Sequence, residues 1–193
     1  MKKILFTILL FFAALDPASA CVCDELNKET TEELFEKSDY IIIGTAIINS
    51  EFESQFEKFL NTKNKGTNVL LQVESVLKGD VKLKEKLFVY QFQTSCTRIF
   101  QIGEKYLIFG EKIEKFTQAE IDRTHSGELS PPPPPPSVND GLVKLYTHEK
   151  EEVKLLNDQI LRYKTITTDQ CTSLSVESKG FSTTISYLKT QNN

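Results

Sequence analysis

Cys21-Val22-Cys23 constrains this chain more than any other stretch. A bond between two cysteines one residue apart would be strained, so each has to reach a partner far away in sequence. Cys96 and Cys171 complete an even set of four, all beyond position 20. The residues leave both pairings open: Cys21 to Cys96 with Cys23 to Cys171, or the reverse. The competing use, a structural zinc site, is weak because no His stands near any Cys.

The stretch before this pair gives it its position. Met1-Lys2-Lys3 is basic, Ile4 to Leu15 is apolar but short for a bilayer, and Ala18-Ser19-Ala20 is a small-residue cleavage site. Residues 1–20 therefore read as a signal peptide, with Asp16-Pro17 breaking the apolar helix and the mature chain beginning at Cys21. The expected location is secreted, extracellular or periplasmic, where disulfides persist. The alternative is an outer-membrane or cell-surface lipoprotein acylated at Cys21, although Ala18 stands where a lipobox carries Leu. The two differ chemically. A free terminal Cys held by a disulfide presents its α-amine and carbonyl oxygen as a fixed metal-chelating fork, whereas an acylated amine cannot coordinate.

Composition bounds the rest to one expected domain over residues 21–193. The chain has 23 Lys and Arg and 27 Asp and Glu; without Lys2, Lys3 and Asp16 these become 21 and 26, a net charge of −5. No basic stripe is present to neutralise phosphates, which argues against nucleic acid. No second apolar run is long enough for a transmembrane helix.

Along the chain, Glu32 to Lys37 after Thr30-Thr31 predicts a short helix with a Thr cap. Asp39 to Ile48 is β-branched and apolar, a long central strand in which Gly44 marks a bend or bulge. Glu51 to Thr67 reads as an exposed loop or ribbon. Further strands are expected over Asn68 to Lys78, Lys86 to Phe92 and Lys105 to Gly110, with turns at Lys78-Gly79-Asp80 and Gly103. Residues 118–141 carry Pro131 to Pro136, a polyproline rod that reads as an exposed insertion. Thr147 to Lys164 places Val153, Leu155, Leu156, Ile160 and Leu161 at helical spacing. A last strand over Thr165 to Cys171 and a terminal element over Phe181 to Leu188 complete the reading, which amounts to mainly β structure in a small closed barrel.

No enzyme constellation emerges. His125 and His148 are the two histidines, no nucleophile elbow or glycine-rich phosphate loop is present, and the acidic residues are dispersed. The chain is expected not to be an enzyme, to need no cofactor and to be a monomer.

Taken in order, Cys-x-Cys after a leader, a short helix, a long apolar strand, Val76-Leu77-Lys78-Gly79-Asp80, Ser95-Cys96, Phe100, Gly103, Tyr106-Leu107-Ile108-Phe109-Gly110 and a late Cys171 resemble the netrin-like domain of tissue inhibitors of metalloproteinases. The resemblance covers nearly all of residues 21–193. It implies a five-stranded OB-fold barrel with flanking helices and the bridges Cys21–Cys96 and Cys23–Cys171. It also implies a zinc metalloproteinase as partner, its catalytic zinc chelated by the backbone amine and carbonyl of Cys21. Val22 would enter a pocket beside the zinc, and Gln93, Thr94 and Ser95 would lie next to it on the same protease-binding ridge. The chain departs from the family in lacking its third disulfide and Cys-rich second domain, and in having Val22 where a small hydroxyl residue is usual.

Overall fold

A computed structural model describes residues 21, 23, 26–48, 64–92, 94–119, 137–146 and 150–191. The leader, Val22, Gln93, both histidines and Pro131 to Pro136 lie outside these residues.

The first element among the described residues is helix α1, Lys28–Lys37. Its start differs from the Thr-capped reading because Asn27, not Thr30, is the cap. Asn27 Oδ1 accepts from the Thr30 N–H at 2.9 Å, and Thr30 Oγ1 accepts from the Asn27 N–H at 2.9 Å, a reciprocal capping box. Strand β1 is Tyr40–Ile47, followed by β2, Lys65–Gly66, and β3, Val69–Lys78. Then come β4, Lys86–Tyr90; β5, Phe100–Gln101; and β6, Lys105–Ile113, longer than its predicted span. A side sheet is built from β7, Lys115–Gln118; β8, Val138–Asn139; and β9, Leu142–Leu145. Helix α2 is Lys150–Arg162, and it leads into β10, Lys164–Thr167, and β11, Ser173–Ser175. The terminal element is helix α3, Lys179–Gln191.

Five strands close a barrel in the order β1-β3-β4-β10-β6, with β6 pairing back onto β1. Counted within the barrel this is strand order 1-2-3-5-4-1, with β4 and β10 parallel and the other pairs antiparallel, the arrangement of an OB-fold. Strand β1 pairs along both edges, and its register to β3 shifts at Ile43/Gly44, so Gly44 does mark a bulge. The close approach explains the glycine: a Cβ there would stand 2.7 Å from Gln72 O and from Leu71 Cγ.

Much of the barrel wall is buried on both faces, which is why β1, β4 and β6 read as apolar runs, whereas β3 carries exposed Gln72 and Glu74 among its apolar residues. Ile42, Leu71, Val89 and Ile108 point into the barrel, while their neighbours Ile41, Leu70, Phe88 and Leu107 point outward beneath other elements. Helices α1 and α3 cover Ile41, Leu107 and Phe109 with Leu34, Phe35, Ile185 and Leu188. Helix α2 covers Leu70, Phe88 and Phe116 with Val153, Leu156 and Ile160. One predicted member of that stripe is misplaced: Leu161 is 84% exposed, and Gln159 is buried instead.

Two boundaries also move. Gln118, Ala119 and residues 138–141 belong to the side sheet or its edge, not to the insertion; Asp140 and Gly141 make the tight β8–β9 turn with φ of 49° and 75°. The predicted ribbon over Glu51 to Thr67 ends in buried residues, because Gly66 and Thr67 follow the β2–β5 pairing into the barrel wall.

Candidate functional site

Parallel pairing places the site. Because β4 and β10 run side by side in the same direction, Leu87 to Tyr90 opposite Lys164 to Thr167, the segments that follow them leave from the same end of the barrel. Those segments carry Cys96 and Cys171. The bonds are Cys21–Cys96 and Cys23–Cys171, with Cα–Cα distances of 5.1 Å in both, so both members of the N-terminal pair are tied to that end.

Each anchor sits in a turn built by its neighbours. Thr94 and Thr97 cross-bond: the Thr94 N–H donates to Thr97 Oγ1 at 2.8 Å, Thr97 Oγ1 donates to Phe92 O at 2.8 Å, and the Cys96 N–H donates to Thr94 Oγ1 at 3.2 Å. Asp169 does the same for the other anchor, its Oδ1 accepting from the main-chain N–H groups of Cys171 and Thr172, both at 2.8 Å. The predicted strand into Cys171 stops at Thr167 because this Asp-centred turn competes successfully for the backbone.

The two turns are then fastened together. The Gln170 N–H donates to Cys96 O at 2.8 Å. Arg98 reaches across from the first segment, its Nη2 donating to Ser173 O at 2.7 Å and to Gln170 O at 3.2 Å, with the guanidinium 5.9 Å from the Tyr106 ring centroid. Burial pulls the Arg98 pKa down, opposed by Tyr106 and Asp169, yet a guanidinium remains charged. Gln91, itself buried, holds the base of the first turn by accepting from the Arg98 N–H at 2.7 Å and donating to Arg98 O at 2.7 Å.

Of the residues expected on the ridge, Cys21 and Cys23 are half-buried, whereas Thr94 and Ser95 are exposed on the turn that leads into Cys96. The Cys21–Cys96 bridge brings Cys21 to that turn. Val22 and Gln93 lie outside the described residues. Arg98, Asp169, Gln170 and Gln91 were not foreseen; the patterns Thr-Ser-Cys-Thr and Asp-Gln-Cys-Thr do carry the signature of side-chain-closed turns.

Among the described residues, the one group of three ligand-type side chains close enough to share a metal is Cys21, Cys96 and Cys171, whose sulfurs lie within 4.8 Å of one another. All three are in disulfides and offer no thiolate. A cleft elsewhere, lined by Lys37, Asp39, Glu111, Lys112, Glu114 and Asp140, is charged, and its Lys112 is paired within it. Lys112 Nζ meets Glu114 Oε1 at 2.5 Å, and the Lys112 N–H donates to Asp39 Oδ2 at 2.7 Å. Burial, with Asp39 and Asp169 nearby, pushes the Glu111 carboxyl up.

No helix among the described residues is long and apolar enough to cross a membrane. No protein-family model, no curated protein and no solved structure matches this chain.

Proposed function

We propose that the chain, once processed to begin at Cys21, inhibits zinc metalloproteinases by direct chelation. The observation that supports this is the double tether: Cys21 and Cys23 are bonded to two turns that are themselves fastened together, so the main chain of Cys21 is held from both sides. A catalytic zinc keeps one position open for water. The α-amine and carbonyl oxygen of Cys21 would take that position as a bidentate fork, and a fork already fixed by bridges loses little entropy on docking. Val22 would fill the adjoining pocket, with Gln93, Thr94 and Ser95 against the protease surface beside it.

Inhibition constants of the processed chain against a panel of secreted zinc proteases test the reading. Potent inhibition that weakens on Val22→Gly and is blocked or redirected by Val22→Arg is expected; inactivity across the panel would refute it. A second reading, a non-inhibitory netrin-like binding module or an envelope lipoprotein anchored at Cys21, is favoured by the small residues Ala18-Ser19-Ala20 directly before the cysteine. Intact mass identifies the lipoprotein, because acylation adds the mass of its chains and occupies the amine, and an unacylated chain that inhibits nothing is the binding module.

A further inference from the structure

The two bridges touch each other. Cys21 Sγ lies 3.9 Å from Cys23 Sγ and 3.8 Å from Cys171 Sγ, so one sulfur of the first bridge is in van der Waals contact with both sulfurs of the second. None of the four carries a proton, so these contacts are packing rather than hydrogen bonds. A disulfide is broken by a thiolate attacking one of its sulfurs, and the rate depends on access and on the leaving thiolate. Here a sulfur released from one bridge would already be beside its next target.

We propose that these four sulfurs form an exchange centre, in which a small thiol such as glutathione converts Cys21–Cys96 and Cys23–Cys171 into Cys21–Cys171 and Cys23–Cys96. The thiolate attacks Cys96 Sγ, next to the exposed residues Thr94 and Ser95; a mixed disulfide forms and Cys21 leaves as thiolate. Cys21 attacks Cys171 Sγ, forming Cys21–Cys171 and expelling Cys23 as thiolate. Attack on Cys23 instead would close the strained ring spanning Val22. Cys23 then attacks the Cys96 mixed disulfide, forming Cys23–Cys96 and returning the small thiolate. Two protein disulfides are present before and after, and the thiol is regenerated.

The consequence concerns the same tethered N-terminus and rests on the inhibitory reading. In the crossed form Cys21 is held by the Asp169 turn and no longer by the turn carrying Thr94 and Ser95, so the chelating fork is withdrawn from its ridge. The exchange itself requires only the sulfur positions.

The oxidised mature chain is incubated with a substoichiometric amount of reduced glutathione at mildly alkaline pH, quenched in acid and mapped without reduction, using tandem mass spectrometry that resolves Cys21 from Cys23. Cys21–Cys171 and Cys23–Cys96 linkages are expected, with no net gain of protein thiol. Native linkages alone, or reduction without crossing, would overturn the proposal. In Cys96→Ser, alkylation is expected on both Cys21 and Cys23, whereas label confined to Cys21 would overturn it; should that variant not fold, the wild-type mapping decides. Inhibition measured on the same samples should fall in proportion to the crossed fraction. Crossing without loss of potency overturns the regulatory role, while crossing in a chain that never inhibits refutes the inhibitor reading and leaves the exchange standing.

Discussion

Arg98 is the residue that ties the two anchor turns together. It belongs to the segment carrying Cys96, yet its guanidinium donates to Gln170 O and Ser173 O on either side of Cys171. Replacing it by Met would leave two main-chain carbonyls without that donor, at a cost of about 1.5–3 kcal/mol by the usual worth of charged hydrogen bonds. Urea unfolding of Arg98→Met checks this, and inhibitory potency should fall further than stability accounts for if the two turns drift apart. Tyr40 supplies a pH signature at the far end of β1. Its hydroxyl is buried and donates to Asp80 Oδ1 at 3.0 Å, and burial first, then Asp80, raises its pKa well above the ordinary value. A raised folded-state pKa means the stability from the neutral phenol is complete below the unfolded value of about 10 and is lost as pH rises beyond it. Between neutral and strongly alkaline pH the wild type should therefore lose more unfolding free energy than Tyr40→Phe; parallel losses would contradict this role. None of these contacts was legible beforehand, because their acceptors are main-chain carbonyls or residues distant in sequence.

The elements themselves divide by how much pattern they carry. Strands β1, β4 and β6 were legible as apolar runs, since most of their residues are buried, and β3 was legible through Val69, Leu71 and Val73 set against the exposed Gln72 and Glu74. Strands β2, β5, β8 and β11, of two or three residues, have no room for a period and exist only through their partners. Helix α1 was found but begun too late, because its Asn27 cap precedes the Thr pair that the sequence offers as a cap. Helix α2 shows what periodicity cannot decide: Leu156 is fully buried, yet Leu161 on the same predicted stripe faces solvent. Leu156→Ala should cost about 2–5 kcal/mol, whereas Leu161→Ala should fall within about 0.5 kcal/mol of wild type. Denaturant midpoints of the two variants check the contrast. Gly44→Ala should cost about 1–3 kcal/mol, as its Cβ would press on Leu71 and the Gln72 carbonyl and force the β1 bulge to shift.

At the scale of the whole molecule, the bridges close sequence separations of 75 and 148 residues, each worth about 4–5 kcal/mol in the simple chain-entropy account. Their connectivity was not legible from the cysteines, which allow either pairing, and the parallel β4–β10 pair brings both anchor turns to one end without deciding between them. On the proposed reading the barrel serves the processed N-terminus, supplying two fastened turns to hold Cys21. Because an α-amine titrates at about 7.7–8.0 and coordinates only when unprotonated, inhibition should strengthen as pH rises through that range for a protease that does not itself titrate there. The most direct test is the inhibition constant of the chain beginning at Cys21 beside that of the same chain extended by one Ala, with both bridges and the fold verified in each. Chelation by the Cys21 amine predicts that the extended chain loses inhibition while keeping its stability; equal potency of the two chains would contradict it.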